Sequence, residues 1–193
     1  YNRALYRLMD RFAKGFPNVM AMLCAGGSGR VDYGAMPYFH SFWPSDNTDP
    51  LGRIKIQWGF SHFFPANTIS AHVTRMGKRH LKMAIDVALS GAFGIDLALD
   101  KATAEERAQI ADAVKLYKER IRPLVMHGEL YRLVSPYESP LASLSYVSTD
   151  KQKAVVYFYQ TKDGNEPRVK LGGLDAHKKY RVEEVSQAKG VTS

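Results

Sequence analysis

Two stretches decide how this chain is read: Cys24-Ala25-Gly26-Gly27-Ser28-Gly29-Arg30-Val31-Asp32, and further on Phe42-Trp43-Pro44-Ser45-Asp46-Asn47-Thr48-Asp49-Pro50. The first is glycine-rich, so its backbone can approach a ligand closely and turn N–H groups toward it. A short apolar run, Val19 to Leu23, feeds it, and a second run around Phe39, Phe42 and Trp43 feeds the loop carrying Asp46 and Asp49. Both loops follow strand-like runs and precede helix-like ones. In a parallel α/β sheet that order brings them together at the carboxyl ends of the strands, where ligands bind.

Working outward, residues 2–14 carry a helical stripe (Leu5, Leu8, Met9, Phe12) that Gly15 and Pro17 end. The spacing predicts strands over 19–23 and 38–43, the second closed by Pro44. Pro50, after Thr48 or Asp49 as cap, opens a helix through about Phe60, with Leu51, Ile54 and Trp58 in register. A β-branched run, Thr68 to Thr74, predicts the next strand, and a basic loop then leads to a helix from Leu81 to about Ser90. Phe93–Leu97 reads as a strand. Thr103 with Glu106 forms a capping box for a helix that buries Ile110, Val114, Tyr117 and Ile121 and stops before Pro123. Strands alternating with helices predict a parallel α/β fold, about half of a closed barrel. Half a barrel leaves bare sheet edges. With no initiating methionine at Tyr1, this predicts that the chain is a piece of something longer.

After Gly128 the pattern changes to short β runs at Leu130–Ser135, Leu141–Ser148, Ala154–Thr161, Arg168–Leu171 and Tyr180–Val185. Asp163-Gly164-Asn165 is a turn signal between two of them. The expected organisation is a barrel half over 1–127 and an antiparallel β-sandwich, incomplete, over 128–193.

Composition narrows the function. With 45% hydrophobic and 24% charged residues in 193, the chain is globular in type. No run of 18 apolar residues occurs, so no membrane span is expected. The formal charge of +8 suggests a nucleic-acid partner, but the basic residues are dispersed. Arg3, Arg7, Arg11 and Lys14 do share one helix face, which reads as a solvated surface, so no nucleic acid is expected to bind. The single cysteine excludes an internal disulfide, and Cys24 has no identifiable histidine partner that would make it a nucleophile. The six histidines show no His-x-x-x-His pair, and the glycine loop lacks both a Gly-Lys-Ser/Thr and a Gly-x-Gly-x-x-Gly pattern. Neither a metal nor a cofactor is expected.

From the residues alone, Asp46 and Asp49 are the candidate acid/base carboxylates, though a spacing of three in one loop aims them differently and one of them suits a helix cap. Arg30 and Asp32 are predicted to form an ion pair bracing the glycine loop. Trp43 and Trp58 are either sugar-stacking or core residues. His72, at a predicted strand end, either points to the active face or is structural.

These residues also carry a resemblance. The glycine loop, then Ser-Asp-Asn-Thr-Asp-Pro (45–50), Ile54-Lys55-Ile56-Gln57-Trp58-Gly59, and Ser70-Ala71-His72-Val73 occur in an order similar to that of the α-galactosidases of glycoside hydrolase family 36. The similarity is clear from Leu8 to about Val134 and thinner beyond. Ser28 stands where many relatives have glycine, and Gly52 where they often have glutamate. The resemblance implies a (β/α)8 barrel followed by a C-terminal β domain, and a retaining α-galactosidase cleaving terminal galactosyl residues from substrates such as melibiose or raffinose. Within the family it leaves open an α-N-acetylgalactosaminidase or a galactosyl-transferring enzyme, and outside it a non-catalytic carbohydrate-binding piece. It implies Asp46 as general acid/base with Asp49 orienting or capping behind it, and Cys24, Gly26 and Gly27 on the sugar; from the residues themselves Trp43 is placed on the sugar and Arg30, Asp32 and His72 behind it. The family's nucleophile lies in a Lys-Trp-Asp motif, which this chain lacks. The 193 residues alone are therefore expected to be inactive. Homo-oligomerisation of the parent, and cytoplasm against periplasm, stay open.

Overall fold

The computed structural model describes residues 2–27, 29–162 and 168–186. Helix α1 (Asn2–Gly15) lays Leu5, Tyr6 and Met9 against Leu23, Ala35 and Phe42. Strand β1 (Met22–Leu23) pairs in parallel with β2 (Ser41–Phe42), Met22 opposite Ser41 and Leu23 opposite Phe42. A single parallel bridge, Phe42 to Ile69, joins β2 to β3 (Ser70–Val73). Strand β3 pairs in parallel with β4 (Ala92–Ile95), placing His72 beside Gly94. The spatial order is therefore the chain order, β1-β2-β3-β4. Helix α2 (Pro50–Phe60) separates β2 from β3, and α3 (Leu81–Ala88) separates β3 from β4. This is the repeating unit of a parallel barrel, as the alternation predicts.

The first two strands are shorter than predicted, and backbone bonding shows why. Trp43 N–H still donates to Leu23 O at 2.9 Å, but the next residue is Pro44, which has no donor to continue the ladder. At the other end Ala21 N–H is taken by the His40 ring, Nδ1 at 3.1 Å, in place of a strand carbonyl.

Helix α4 (Ala104–Leu116) starts at the predicted capping box. Thr103 accepts from Glu106 N–H at 3.1 Å, and the Glu106 carboxylate accepts from Thr103 N–H at 3.0 Å. The helix does not stop before Pro123. It widens into a π turn over Tyr117–Ile121 and continues as α5 (Arg122–His127). The wide turn shifts the bonding frame so that Pro123 falls in the first turn of α5, where a missing N–H costs nothing.

From Gly128 on, pairing is antiparallel. Strands β5 (Glu129–Val134), β6 (Leu141–Val147) and β7 (Ala154–Gln160) form one sheet in that order, with a register shift between Arg132 and Val134. Ala142, Leu144, Tyr146, Tyr157 and Tyr159 turn one face of it into the same apolar cluster as Ala84, Ile85, Leu89 and Ile110. The strands predicted at Arg168–Leu171 and Tyr180–Val185 do not form. Their apolar residues find no sheet face to bury against: Leu171 is 41% exposed and Val182 87%. The predicted Asp163-Gly164-Asn165 turn lies outside the described residues.

Candidate active site

The β1 and β2 strands end side by side, so the two loops that follow them meet. Gly27 is buried at the junction with φ +82°, and a Cβ built there would lie 3.1 Å from Ser45 Cα. Glycine is required on both counts, the left-handed backbone and the close approach. Gly27 therefore packs beneath the Asp46 loop. Gly26 (φ +60°) is exposed, and the position of its absent Cβ is 4.0 Å from Asp46 Oδ2, so its open face borders the carboxylate. Cys24 directly follows Leu23, the residue whose carbonyl holds Trp43, and its thiol is exposed and free.

The Asp46 loop is built by short side chain to backbone bonds. Ser45 Oγ accepts from Asn47 N–H at 3.1 Å, and Asn47 Oδ1 accepts from Asp49 N–H at 3.0 Å. Asp46 itself is exposed at the mouth. Its Oδ1 accepts the Trp43 indole N–H at 3.0 Å. The indole is a donor only and occupies Oδ1, which favours Oδ2, the oxygen on the Gly26 side, as the one to carry a proton.

Trp43 is held on two sides. The Arg53 guanidinium lies over its ring, 4.5 Å from the centroid, and the His72 ring meets it edge-on at 4.8 Å. His72 fits because its strand neighbour is Gly94: a Cβ there would come within 2.5 Å of the imidazole. Burial lowers the His72 pKa below the ordinary histidine value, against the pull of Asp96. The ring is therefore neutral at neutral pH.

Asp49 occupies the N-cap position of α2, but its side chain makes no cap bond. Its carboxylate turns toward the loop after β3, accepting from Arg79 Nε at 3.2 Å and lying against Gly77. The same loop holds Thr48 through its hydroxyl contact with Thr74, 2.8 Å, and its N–H contact with Met76 Sδ, 3.1 Å. Asp46 and Asp49 are thus aimed differently, as the spacing suggested. Arg30 and Asp32 do not pair. Both Asp32 oxygens are taken, Oδ2 by the Tyr6 hydroxyl at 2.5 Å and Oδ1 by Ala35 N–H at 2.8 Å, and Arg30 is exposed with no ion pair among the described residues. Trp58 is a core residue, 7% exposed.

Sequence reasoning missed Arg53. It is 3% exposed and donates to three carbonyls: Asn47 O from Nε at 2.9 Å, Ser45 O from Nη2 at 2.9 Å, and Ser70 O from Nη1 at 3.2 Å. A signal was present. The buried face of α2 runs Pro50, Arg53, Ile54, Gln57, Trp58, so two polar residues occupy positions where a plain apolar stripe has none. Among the described residues no group of three or more His, Cys, Asp or Glu is placed to hold a metal ion.

Parallel strands in chain order, with an exposed carboxylate held by a tryptophan at their carboxyl ends and an antiparallel sheet after them, define part of a (β/α) barrel with an appended β domain. The chain belongs to glycoside hydrolase family 36: the melibiase family model matches residues 1–128, and the glycosyl hydrolase family 36 C-terminal domain matches 141–192. Alpha-galactosidase AgaA of Geobacillus stearothermophilus is 38% identical over 192 residues, covering 95% of this chain and 26% of the relative. Alpha-galactosidase 2 of Hypocrea jecorina is 33% identical over 202 residues, covering 100% of this chain and 27% of the relative. Among solved structures, an AgaA variant from Geobacillus stearothermophilus in complex with raffinose superposes with TM-score 0.84 at 37% identity, covering 89% of this chain and 25% of that one. The galactosidase domain of an alpha-galactosidase-sucrose kinase superposes with TM-score 0.83 at 31% identity, with 89% and 25% covered. The chain thus spans about a quarter of the length of the relatives it matches.

Proposed function

We propose that this chain is the acid/base-bearing part of a retaining α-galactosidase that cleaves terminal α-galactosyl residues from oligosaccharides such as raffinose. The observation that carries the reading is Asp46: an exposed carboxylate between two barrel-strand loops, one oxygen fixed by the Trp43 N–H and the other facing the glycine loop. Family membership supports the substrate class, since structures of variants of one relative, AgaA, are complexes with raffinose and with stachyose. In this reading residues 1–127 are the second half of the barrel and 128–193 the β domain. The change from parallel to antiparallel pairing at Gly128 supports that division.

A retaining glycosidase uses two carboxyl groups about 5–5.5 Å apart. Asp46 protonates the glycosidic oxygen from Oδ2 while a carboxylate on the opposite face attacks the anomeric carbon. Asp46, now ionised, then takes a proton from water as that water attacks the galactosyl-enzyme. The attacking carboxylate is not Asp49, which is turned toward Arg79. It is to come from elsewhere in the whole enzyme, because no Lys-Trp-Asp occurs here. Gly26 and Cys24 line the sugar side of the loop.

The test is Asp46→Asn in the full-length enzyme. Turnover of raffinose, whose leaving group is an unactivated sugar hydroxyl, should fall by about 10²–10⁴-fold, whereas an activated aryl galactoside should still form the galactosyl-enzyme. Azide, which needs no general base, should then speed turnover and give α-galactosyl azide with configuration retained. Asp49→Asn should show none of this. Azide product from Asp49→Asn and none from Asp46→Asn would assign the role to the other carboxylate.

A further inference from the structure

Arg53 is an anomaly as a structural residue. A buried cation is held in place at a cost of several kcal/mol unless it is paired. Here no carboxylate lies within ion-pair distance of it among the described residues, and its partners are three neutral carbonyls. Burial pulls the guanidinium down to about 10, opposed by the charge of Asp46, so it stays protonated at neutral pH. A nonpolar residue would fill the same volume without that penalty.

What the guanidinium touches explains its presence. Ser45 and Asn47, whose carbonyls it binds, are the residues on either side of Asp46. The third carbonyl, Ser70 O, belongs to β3, the strand that carries His72. The guanidinium carbon lies over the Trp43 ring, 4.5 Å from its centroid, and Trp43 alone donates to Asp46 Oδ1 among the bonds of the described residues. One planar group therefore fixes the backbone before and after the carboxylate and, through the indole, the carboxylate's own rotation. Lysine offers a single ammonium on a flexible stem and cannot bracket two carbonyls, reach a neighbouring strand and stack at once.

The geometry points to Arg53, with Trp43 as its link, as the positioning residue of the acid/base: it sets where Asp46 Oδ2 presents its proton to the leaving oxygen. The inference rests on the reading of Asp46 as that acid/base. It is a positioning role because Arg53 is buried behind Trp43 and acts on the reaction only through the loop it holds.

The experiment compares Arg53→Lys, Trp43→Phe and Asp46→Asn in the full-length enzyme, on raffinose and on dinitrophenyl α-galactoside. Misplacing the acid hurts the step that needs it. Arg53→Lys should lower kcat on raffinose by about 10–100-fold with KM little changed, and lower formation of the galactosyl-enzyme from the aryl substrate by no more than about threefold. Azide should accelerate its turnover of the aryl substrate, because the base step is impaired as well. Trp43→Phe keeps a smaller aromatic face over the guanidinium and deletes the N–H together with one ring of the indole, so it should show the same split, and the double variant should lose little more than either single one. A merely structural role predicts equal losses on both substrates and no response to azide, and that result overturns the proposal. If Asp46→Asn shows the split and the other two do not, positioning fails and the acid/base reading stands. If Asp46→Asn shows no split, both fall. Should Arg53→Lys fail to fold, the Trp43→Phe split decides.

Discussion

At the scale of single residues, Gly26 and Gly27 look alike in sequence and differ in the fold. Both adopt left-handed backbone, but Gly27 is pressed against Ser45 and Asp46 whereas Gly26 opens toward the carboxylate. Alanine at either position meets the left-handed penalty of about 1–2 kcal/mol. Gly27→Ala must in addition push the Ser45 backbone away, and Asp46 with it. In the full-length enzyme, Gly27→Ala should therefore lower the melting temperature more than Gly26→Ala, and only Gly27→Ala should reproduce the loss on poor leaving groups that marks a displaced acid. Equal kinetics for the two variants would show that the loop junction does not set the position of Asp46. The sequence singled out this loop because glycines in a row are unusual, and it offered Asp46 and Asp49 together, with only the family resemblance favouring Asp46. It did not disclose Arg53, or that Asp32 binds Tyr6 in preference to Arg30. Those pairings depend on which side chains from distant elements arrive at one place, and chain spacing carries no record of that. His72 lies between the two cases: its strand could be read, but its fit depends on Gly94 across the ladder.

At the scale of elements, helix starts were easier to read than helix ends. The α4 start rests on two reciprocal bonds between Thr103 and Glu106, and both residues are fixed by a three-residue spacing visible in sequence. The same Glu106 carboxylate also receives a bidentate fork from Arg75, at 2.7 and 2.9 Å, from the loop that braces Thr48 and Asp49. Arg75 and the Thr103 N–H hold Glu106 at about 2, well below its ordinary value. Thr103→Ala removes one side of the box and should destabilise the fold by about 1 kcal/mol, read as a shift in the denaturation midpoint of the full-length enzyme. Turnover should not change, because Arg75 keeps its own partner; a loss of activity without a loss of stability would contradict this. The end of that helix was misread at Pro123, since the rule that proline stops a helix assumes an unbroken α frame, and the π turn before it changes the frame. The two-residue length of β1 and β2 and the failure of the strands predicted at Arg168–Leu171 and Tyr180–Val185 have a related origin. Apolar runs show where a strand is permitted, but pairing is decided by which donors and acceptors are free.

At the scale of the molecule, the question is what fixes the β sheet to the barrel half. The answer lies at the carboxyl end of α3, where a helix leaves its last carbonyls without partners. Three tyrosines of the sheet supply hydroxyls: Tyr159 to Asp86 O at 3.2 Å, Tyr157 to Leu89 O at 2.8 Å and Tyr146 to Ser90 O at 2.7 Å. From the barrel side, Gln57 Nε2 donates to Val87 O at 3.2 Å. The rings bury against Ile85, Leu89 and Ile121, so the contact combines apolar area with satisfied carbonyls. Burial raises the pKa of all three phenols above the ordinary tyrosine value. The sign follows directly. Below pH 10 the tyrosines are protonated in both folded and unfolded chain, and their contribution is fully present. Above it the unfolded chain releases protons that the folded chain keeps, so stability falls as pH rises, with a limiting slope of about 1.4 kcal/mol per pH unit for each such group. The full-length enzyme should therefore lose resistance to denaturant steeply above pH 10, and after exposed tyrosines such as Tyr33 and Tyr137 have ionised, a further rise in tyrosinate absorbance should accompany the loss of structure. Replacing Tyr146, Tyr157 and Tyr159 by phenylalanine should lower stability at pH 8, where each lost hydrogen bond counts for about 1 kcal/mol. It should also flatten the decline above pH 10, so that the two stability curves converge as the pH is raised. Curves that stay parallel would mean that these phenols ionise freely in the folded enzyme and that the sheet is held to α3 by apolar contact alone.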